Sequence, residues 1–284
     1  ILSPGHAQEK PRTERELIQA YLSAATDGDR IDTLKLLENC ATQASRGIFQ
    51  SALSDGQSST LRARGARGLG MIRQGRAELE KAFETEDEMV RESVMDALAE
   101  IHDPASNPLF ENSWRNASPR IRLSALRGLS QSAAPSQKNI FLEALSGQRE
   151  VLPYAIIGLG RTGRKEDFPL IRKYCADEDL QLLLACIEAV GNLHSPESLD
   201  LIETYMRHAN PLVSRRAMES LAKFDPASAV DALIRFKASH EGTDGRELMR
   251  SLFQKFRAAQ TYALLKESAA LHRERNERSI VLES

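Results

Sequence analysis

Aromatic residues are scarce in this chain, 5% of 284 residues with a single Trp. Such a composition suits helical layers filled by Leu, Ala and Ile. Charge of one sign is also lacking: 38 basic residues stand against 40 acidic ones, a net charge of −2. That balance provides no global attraction to nucleic acid or to an anionic membrane. No apolar run reaches the roughly 18 residues of a transmembrane helix. Cysteine is limited to Cys40, Cys175 and Cys186, with no C-x-x-C spacing. An odd count without that spacing is a poor disulfide framework and a poor zinc site. The three read as buried small apolar side chains, with one bridge open to Cys175 and Cys186 if neighbouring helices bring them together. No G-x-S-x-G element or Cys–His pairing stands out for nucleophilic catalysis.

What is present looks at first like a nucleotide site. In "AIIGLGRTGRKED", Gly158, Gly160 and Gly163 fit G-x-G-x-x-G, with Asp177 and Asp179 downstream. Such glycines cradle a pyrophosphate when a strand enters and a helix leaves. The rest of the chain supplies a different pattern. Gly68-Leu69, Ala97-Leu98, Gly128-Leu129, Gly158-Leu159, Ala189-Val190, Ser220-Leu221 and Ser251-Leu252 recur at spacings of 29, 31, 30, 31, 31 and 31. Apolar residues precede each large aliphatic by three and four positions, the spacing of one helical face. Gly158 is therefore the small residue of one repeat, inside a helix. Ala97 and Ala189 in the same register imply that Gly158→Ala is tolerated with at most modest loss.

Near copies "HDPAS", "HSPES" and "FDPAS" place Asp103, Ser195 and Asp225 directly before Pro. An N-cap followed by Pro at the first helical position opens a helix at each. Each unit is thus a stripe-bearing first helix, a tight turn and a second helix such as "SPESLDLIETYMRH". No unit buries its stripe alone, so neighbours must stack. Thr13 with Glu16 forms a capping box opening the first helical segment.

A period near 31 with paired helices and Arg seven residues before the key Leu resembles the short HEAT-like repeats first grouped with phycobilisome lyases; "VRESVMDALAEIHDPAS" is the closest copy. Arg62, Arg91 and Arg122 hold the Arg position, which Leu152, Leu183 and Ser214 occupy later. The resemblance implies an all-α right-handed solenoid of about eight antiparallel helix pairs, the three Arg forming a structural ladder to acidic or carbonyl groups. Residues 1–12 are expected to be a disordered tail, 13–56 irregular capping helices, 57–258 the array, and 259–284 a final helix and tail. "ILSPGHA" reads either as the last piece of a secretory signal cut after Ala7 or as plain tail. The compartment is therefore left between exported and cytoplasmic.

The same resemblance spans scaffolds, chromophore lyases and an iron hydroxylase, deoxyhypusine hydroxylase, that uses several His-Glu pairs. This chain has one such pair, His240-Glu241, while His102 and His194 sit three repeats apart. A metal needs three or four converging ligands, so neither a metal, a cofactor nor a catalytic residue is assigned. Arg62, Arg64, Arg67, Arg73 and Arg76 form a basic stretch, followed by ten acids in residues 77–103. These read as charges paired across adjacent helices, and nucleic acid is not an expected partner because the basic footprint is narrow. Trp114, Leu145, Tyr174, Tyr205 and Phe236 share one position late in the second helices and read as core. The flanking Arg172, Glu203, Arg207 and Arg235 then become the surface. They are the expected partner-binding residues, on what the resemblance makes the concave side. The leading functional reading is a non-catalytic scaffold or adaptor for a protein or peptide; the alternatives are a chromophore-lyase-like enzyme or a nucleic-acid binder.

Overall fold

The computed structural model describes residues 13–84, 87–176 and 178–238, and no strand occurs among them. The chain divides into two compact units, Ile1–Ser132 and Ala133–Ser284. In the first lie α1 (Glu14–Ser23), α2 (Asp27–Leu37), α3 (Arg46–Leu53), α4 (Ser59–Met71), α5 (Arg76–Ala82), α6 (Glu88–Ile101), α7 (Asn107–Asn116) and α8 (Pro119–Gln131). In the second lie α9 (Lys138–Ala144), α10 (Leu152–Thr162), α11 (Phe168–Arg172), α12 (Leu180–Leu193), α13 (Pro196–Met206), α14 (Pro211–Leu221) and α15 (Pro226–Ala238). The final stripe position, His240-Glu241 and the expected terminal segments 1–12 and 259–284 fall outside the described residues.

The stripe helices are α4, α6, α8, α10, α12 and α14. Their periodic residues are buried as the spacing requires: Leu61, Ala66 and Leu69 in α4, Val90, Val94 and Leu98 in α6, Val213, Ala217 and Leu221 in α14. Burying each such Leu or Val contributes about 1.5–3 kcal/mol, and only a neighbouring helix can do it.

The phase of the pairing differs from the expectation. Five of the six stripe helices pack more extensively on the helix before them: α3 on α4, α5 on α6, α7 on α8, α9 on α10, α13 on α14; α12 packs about equally on α11 and α13. The reason is an interlock of ring and glycine. A Cβ on Gly128 would lie 2.5 Å from Cζ of Phe110, and Cβ atoms on Gly68 and Gly158 would run into the rings of Phe49 and Phe141. All three rings are fully buried. Where the small residue is Ala97, Ala189 or Ser220, the residue 17 to 19 positions earlier is Leu79, Ile171 or Ile202 instead of Phe. Ring size and small-residue size thus trade off from repeat to repeat at constant packing density. The expected tolerance of Gly158→Ala is overturned, because Ala97 and Ala189 lie in repeats without a Phe.

The second glycine of the fingerprint-like stretch faces the other way. A Cβ on Gly160 would collide with Ala189 of α12, just as one on Gly70 would lie 2.7 Å from Cα of Ala97 and one on Gly191 2.7 Å from Cβ of Ser220. These glycines let successive stripe helices approach to backbone contact. Gly163 ends α10, its N–H donating to the Leu159 carbonyl at 2.7 Å. All three glycines of G-x-G-x-x-G therefore have packing or turn roles in a helical stack, with no strand feeding them.

Helix starts follow the sequence closely. Thr13 accepts from the Glu16 N–H at 3.4 Å while the Glu16 carboxylate accepts from Thr13 N–H at 2.7 Å. Ser195 accepts from Ser198 N–H at 3.0 Å and Asp225 from Ser228 N–H at 3.0 Å. Asp103 accepts from Ala105 N–H at 2.9 Å, capping a 3₁₀ turn at Pro104–Ser106 ahead of α7, and it also pairs with Arg76 at 3.1 Å. Asp225→Ala and Asp103→Ala are each expected to cost about 1 kcal/mol, read as a lower denaturation midpoint in urea. Unchanged midpoints in both would place the helix starts elsewhere.

Two cysteine expectations change. Cys175 and Cys186 are joined in a disulfide with Cα atoms 5.4 Å apart, tying the turn after α11 to the middle of α12. Cys40 is exposed, not buried.

Candidate functional site

The four expected partner-binding residues all lie in the second unit, on α11, α13 and α15. Arg172 is the exposed last residue of α11. Glu203 is turned inward, its side chain 13% exposed, and takes both ends of the Arg235 guanidinium: Nε donates to Oε2 at 3.2 Å and Nη2 to Oε1. The Glu203 carboxylate raises Arg235 above even its ordinary range, chiefly through that hydrogen bond. Arg207 Nη1 donates to the Glu203 carbonyl at 3.1 Å, and its guanidinium lies 5.9 Å from the Phe236 ring centre. Glu203, Arg207 and Arg235 therefore form one fixed polar cluster across α13 and α15. Arg172 stands apart from that cluster, near Tyr205: burial raises the Tyr205 phenol, and the Arg172 charge opposes that shift. The Tyr205 hydroxyl donates to the carbonyl of Cys175, itself one end of the disulfide.

The aromatic column is core or half-buried. Trp114 and Phe236 are 4% and 8% exposed, and Leu145, Tyr174 and Tyr205 are intermediate. Phe83 belongs to the same column, 31 residues before Trp114. The Arg ladder also differs from expectation. Arg91 stacks over Phe83 at 4.9 Å and Arg122 over Trp114 at 4.8 Å, so the partners are rings of the preceding helix. The Arg62 charge adds a minor lowering to the carboxyls of Asp55 and Asp87, behind the hydrogen bonds from the Ser58 N–H and the Ser59 hydroxyl respectively. In the later repeats Ser214 takes the position and donates to the Met206 carbonyl at 2.8 Å.

Elsewhere the basic stretch pairs across helices with the acids of residues 77–103 only in part, through Arg76 and Asp103 at 3.1 Å, and otherwise in ways not expected. Arg64 meets Glu38 at 2.7 Å, and Arg76 meets Glu80 at 2.7 Å. Among the described residues no three His, Cys, Asp or Glu side chains converge to hold a metal ion. His102 and His194 end α6 and α12 in left-handed conformation, and His194 Nε2 lies 2.7 Å from the Lys223 carbonyl. No described helix is long and apolar enough to cross a membrane.

The sequence pattern of HEAT repeats matches residues 49–130 and 177–249. The first match begins in α3 and ends in α8, three hairpins in the phase seen in the structure, two of them with the ring–glycine interlock. No curated protein matches in sequence. Among solved structures, an engineered protein is similar at 15% identity over 95% of this chain and 89% of that one, with a TM-score of 0.51. The complex of CpcE and CpcF of phycocyanin lyase from Nostoc sp. PCC7120 is similar at 18% identity over 89% and 99%, with a TM-score of 0.40. Human deoxyhypusine hydroxylase in complex with glycerol follows at 17% identity over 86% and 96%, with a TM-score of 0.37. With helix pairs in the matching phase and the repeat pattern covering more than half of its length, the chain belongs to the HEAT repeat family.

Proposed function

We propose that this chain is a non-catalytic scaffold or adaptor that binds a protein or peptide through Arg172, Glu203, Arg207 and Arg235. The observation that carries this reading is the fixed polar cluster itself. Glu203 orients Arg235 in a fork, and Arg207 is held at the same carboxylate-bearing turn. Guanidinium groups held in advance lose less side-chain freedom on binding than mobile ones. Arg is also over-represented among residues that dominate interface energies.

The test begins with capture from the source cell, identification by mass spectrometry and purification of the captured protein. Titration of that partner against Arg172→Glu combined with Arg207→Glu is expected to weaken binding at least tenfold, with the thermal midpoint held. Arg235 is left intact in this variant, since reversing it would set two carboxylates together at Glu203. Undiminished affinity in the double variant would remove the site from this face. A partner-independent turnover of a bilin, seen as a change in its visible spectrum, would favour the lyase reading instead.

A further inference from the structure

The second unit holds a lysine whose surroundings leave it without a counter-ion. Lys223 is an exposed residue in the turn between α14 and α15. Its backbone is held from both sides: the N–H donates to the Ser220 carbonyl at 3.1 Å, and the carbonyl accepts from Nε2 of His194 at 2.7 Å. The amine reaches back to α12. There it donates to the Glu188 carbonyl at 3.4 Å, long for a hydrogen bond. No carboxylate of the described residues forms an ion pair with it, because arginines hold those in its neighbourhood. Glu188, its side chain 14% exposed, takes Nη2 of Arg161 at 3.1 Å and Nη1 of Arg216 at 2.7 Å. Glu219 lies 3.6 Å from Nε of Arg216 and 3.8 Å from Nε of Arg215. Asp225, two residues on, caps α15. Lys35 and Lys138 differ, each meeting a carboxylate of its own, Asp32 at 2.8 Å and Asp167 at 2.7 Å.

An ammonium is favoured by water, by an opposite charge and by good hydrogen bonds, and Lys223 is short of each. Desolvation of its amine is the largest cause pushing the ammonium below the ordinary lysine range; the Glu188 charge opposes this, and the Arg161 and Arg216 charges add to it. A lysine with a disfavoured ammonium has a free lone pair near neutral pH, which is what makes a lysine nucleophilic.

We propose that Lys223 is a modification site, an amine that takes acyl groups from acyl thioesters. The Nζ lone pair adds to the thioester carbonyl carbon. The C–N bond forms, the C–S bond breaks, the thiolate leaves, and the nitrogen gives a proton to water. The product amide is uncharged, so repulsion from Arg161 and Arg216 disappears with the ammonium. The site is independent of the polar cluster on α13 and α15, none of whose residues takes part.

Incubating the full chain with the acetyl thioester of N-acetylcysteamine, then mapping acetylated peptides by mass spectrometry over time, tests the inference. At neutral pH Lys223 is expected to react about threefold faster or more than Lys35 and Lys165, which are exposed but lack the arginine neighbours, as a larger share of free amine requires. Its rate should level off below the ordinary lysine range as pH rises. Arg216→Gln removes a like charge and releases part of Glu188 toward the amine, and the Lys223 rate should fall about twofold or more. Lys223→Arg should abolish the fast site and leave the other lysines unchanged. Circular dichroism checks the fold of each variant; should Arg216→Gln unfold, Arg161→Gln makes the same test from the other side of Glu188. Acetylation of Lys223 no faster than that of Lys35 and Lys165, or a wild-type rate at Lys223 in the folded arginine variant, would overturn the proposal.

Discussion

Reducing the Cys175–Cys186 bridge is expected to lower the stability of the second unit by about 3 kcal/mol, the chain-entropy value for a closed loop of this length. The two residues are 11 apart and both are buried. The bridge joins the turn that follows a short helix, α11 of five residues, to the stripe helix that α11 packs against. Such a helix has little intrinsic stability, since isolated helices shorter than about 12–15 residues are marginal. Cys186→Ala isolates the effect of the bond, because Ala125, Ala155 and Ala217 hold the same register in other repeats and the cavity left is small. Melts of wild type and Cys186→Ala, each with and without a phosphine reductant, are the measurement. The reductant should lower the wild-type midpoint to that of the variant and leave the variant unmoved. A thiol titration in denaturant should count one free thiol in the unreduced wild type, that of Cys40. Three free thiols, or equal midpoints in all four samples, would show that no bridge supports the unit. Because the Tyr205 hydroxyl bonds to the Cys175 carbonyl, loss of the bridge should also loosen the link between α11 and α13 at the proposed polar cluster.

Much of the fold was legible because it depends on local rules. The capping box at Thr13 and Glu16, the Ser195 cap and the Asp225 cap each involve residues within three positions of one another, and side-chain chemistry alone specifies them. The stripe was legible because a period of 3.6 within helices repeats near 31 along the chain. The phase of the hairpins was not, because both helices flanking a stripe helix are apolar on one side and periodicity does not say which is nearer. That decision lies in side-chain volume across a turn, as at Phe110 and Gly128. The candidate site shows the same division. The four polar residues were read from their place beside the aromatic column, but the Glu203–Arg235 fork spans 32 residues and needs the stacking of α13 and α15. The stacks of Arg91 and Arg122 were missed because the family position suggests acidic or carbonyl partners. Their rings lie eight residues earlier on another helix, across a turn whose geometry the sequence does not specify.

Gly158→Ala is expected to cost about 1–3 kcal/mol, the usual penalty for forcing an extra carbon into a filled core. The new Cβ falls on the Phe141 ring, which is fully buried and has no free side to move into. Phe141→Leu alone should cost about 1 kcal/mol or more, from lost burial and the gap left beside a glycine. Combined, the two changes recreate the pairing that the chain already uses at Leu79 with Ala97. The double variant should therefore be more stable than the sum of the single losses predicts, by at least about 1 kcal/mol, the size of coupling seen between residues in contact. Urea unfolding of the four proteins, followed by circular dichroism, completes the cycle. Strict additivity would show that Phe141 and Gly158 do not interlock. A Gly158→Ala protein as stable as the wild type would return the position to the interchangeable small site that its register with Ala97 and Ala189 suggests. The cycle also distinguishes the packing role from a nucleotide role: glycines that serve a pyrophosphate are not rescued by shrinking a ring on a neighbouring helix, whereas a glycine that exists to admit Phe141 is dispensable once the ring is gone.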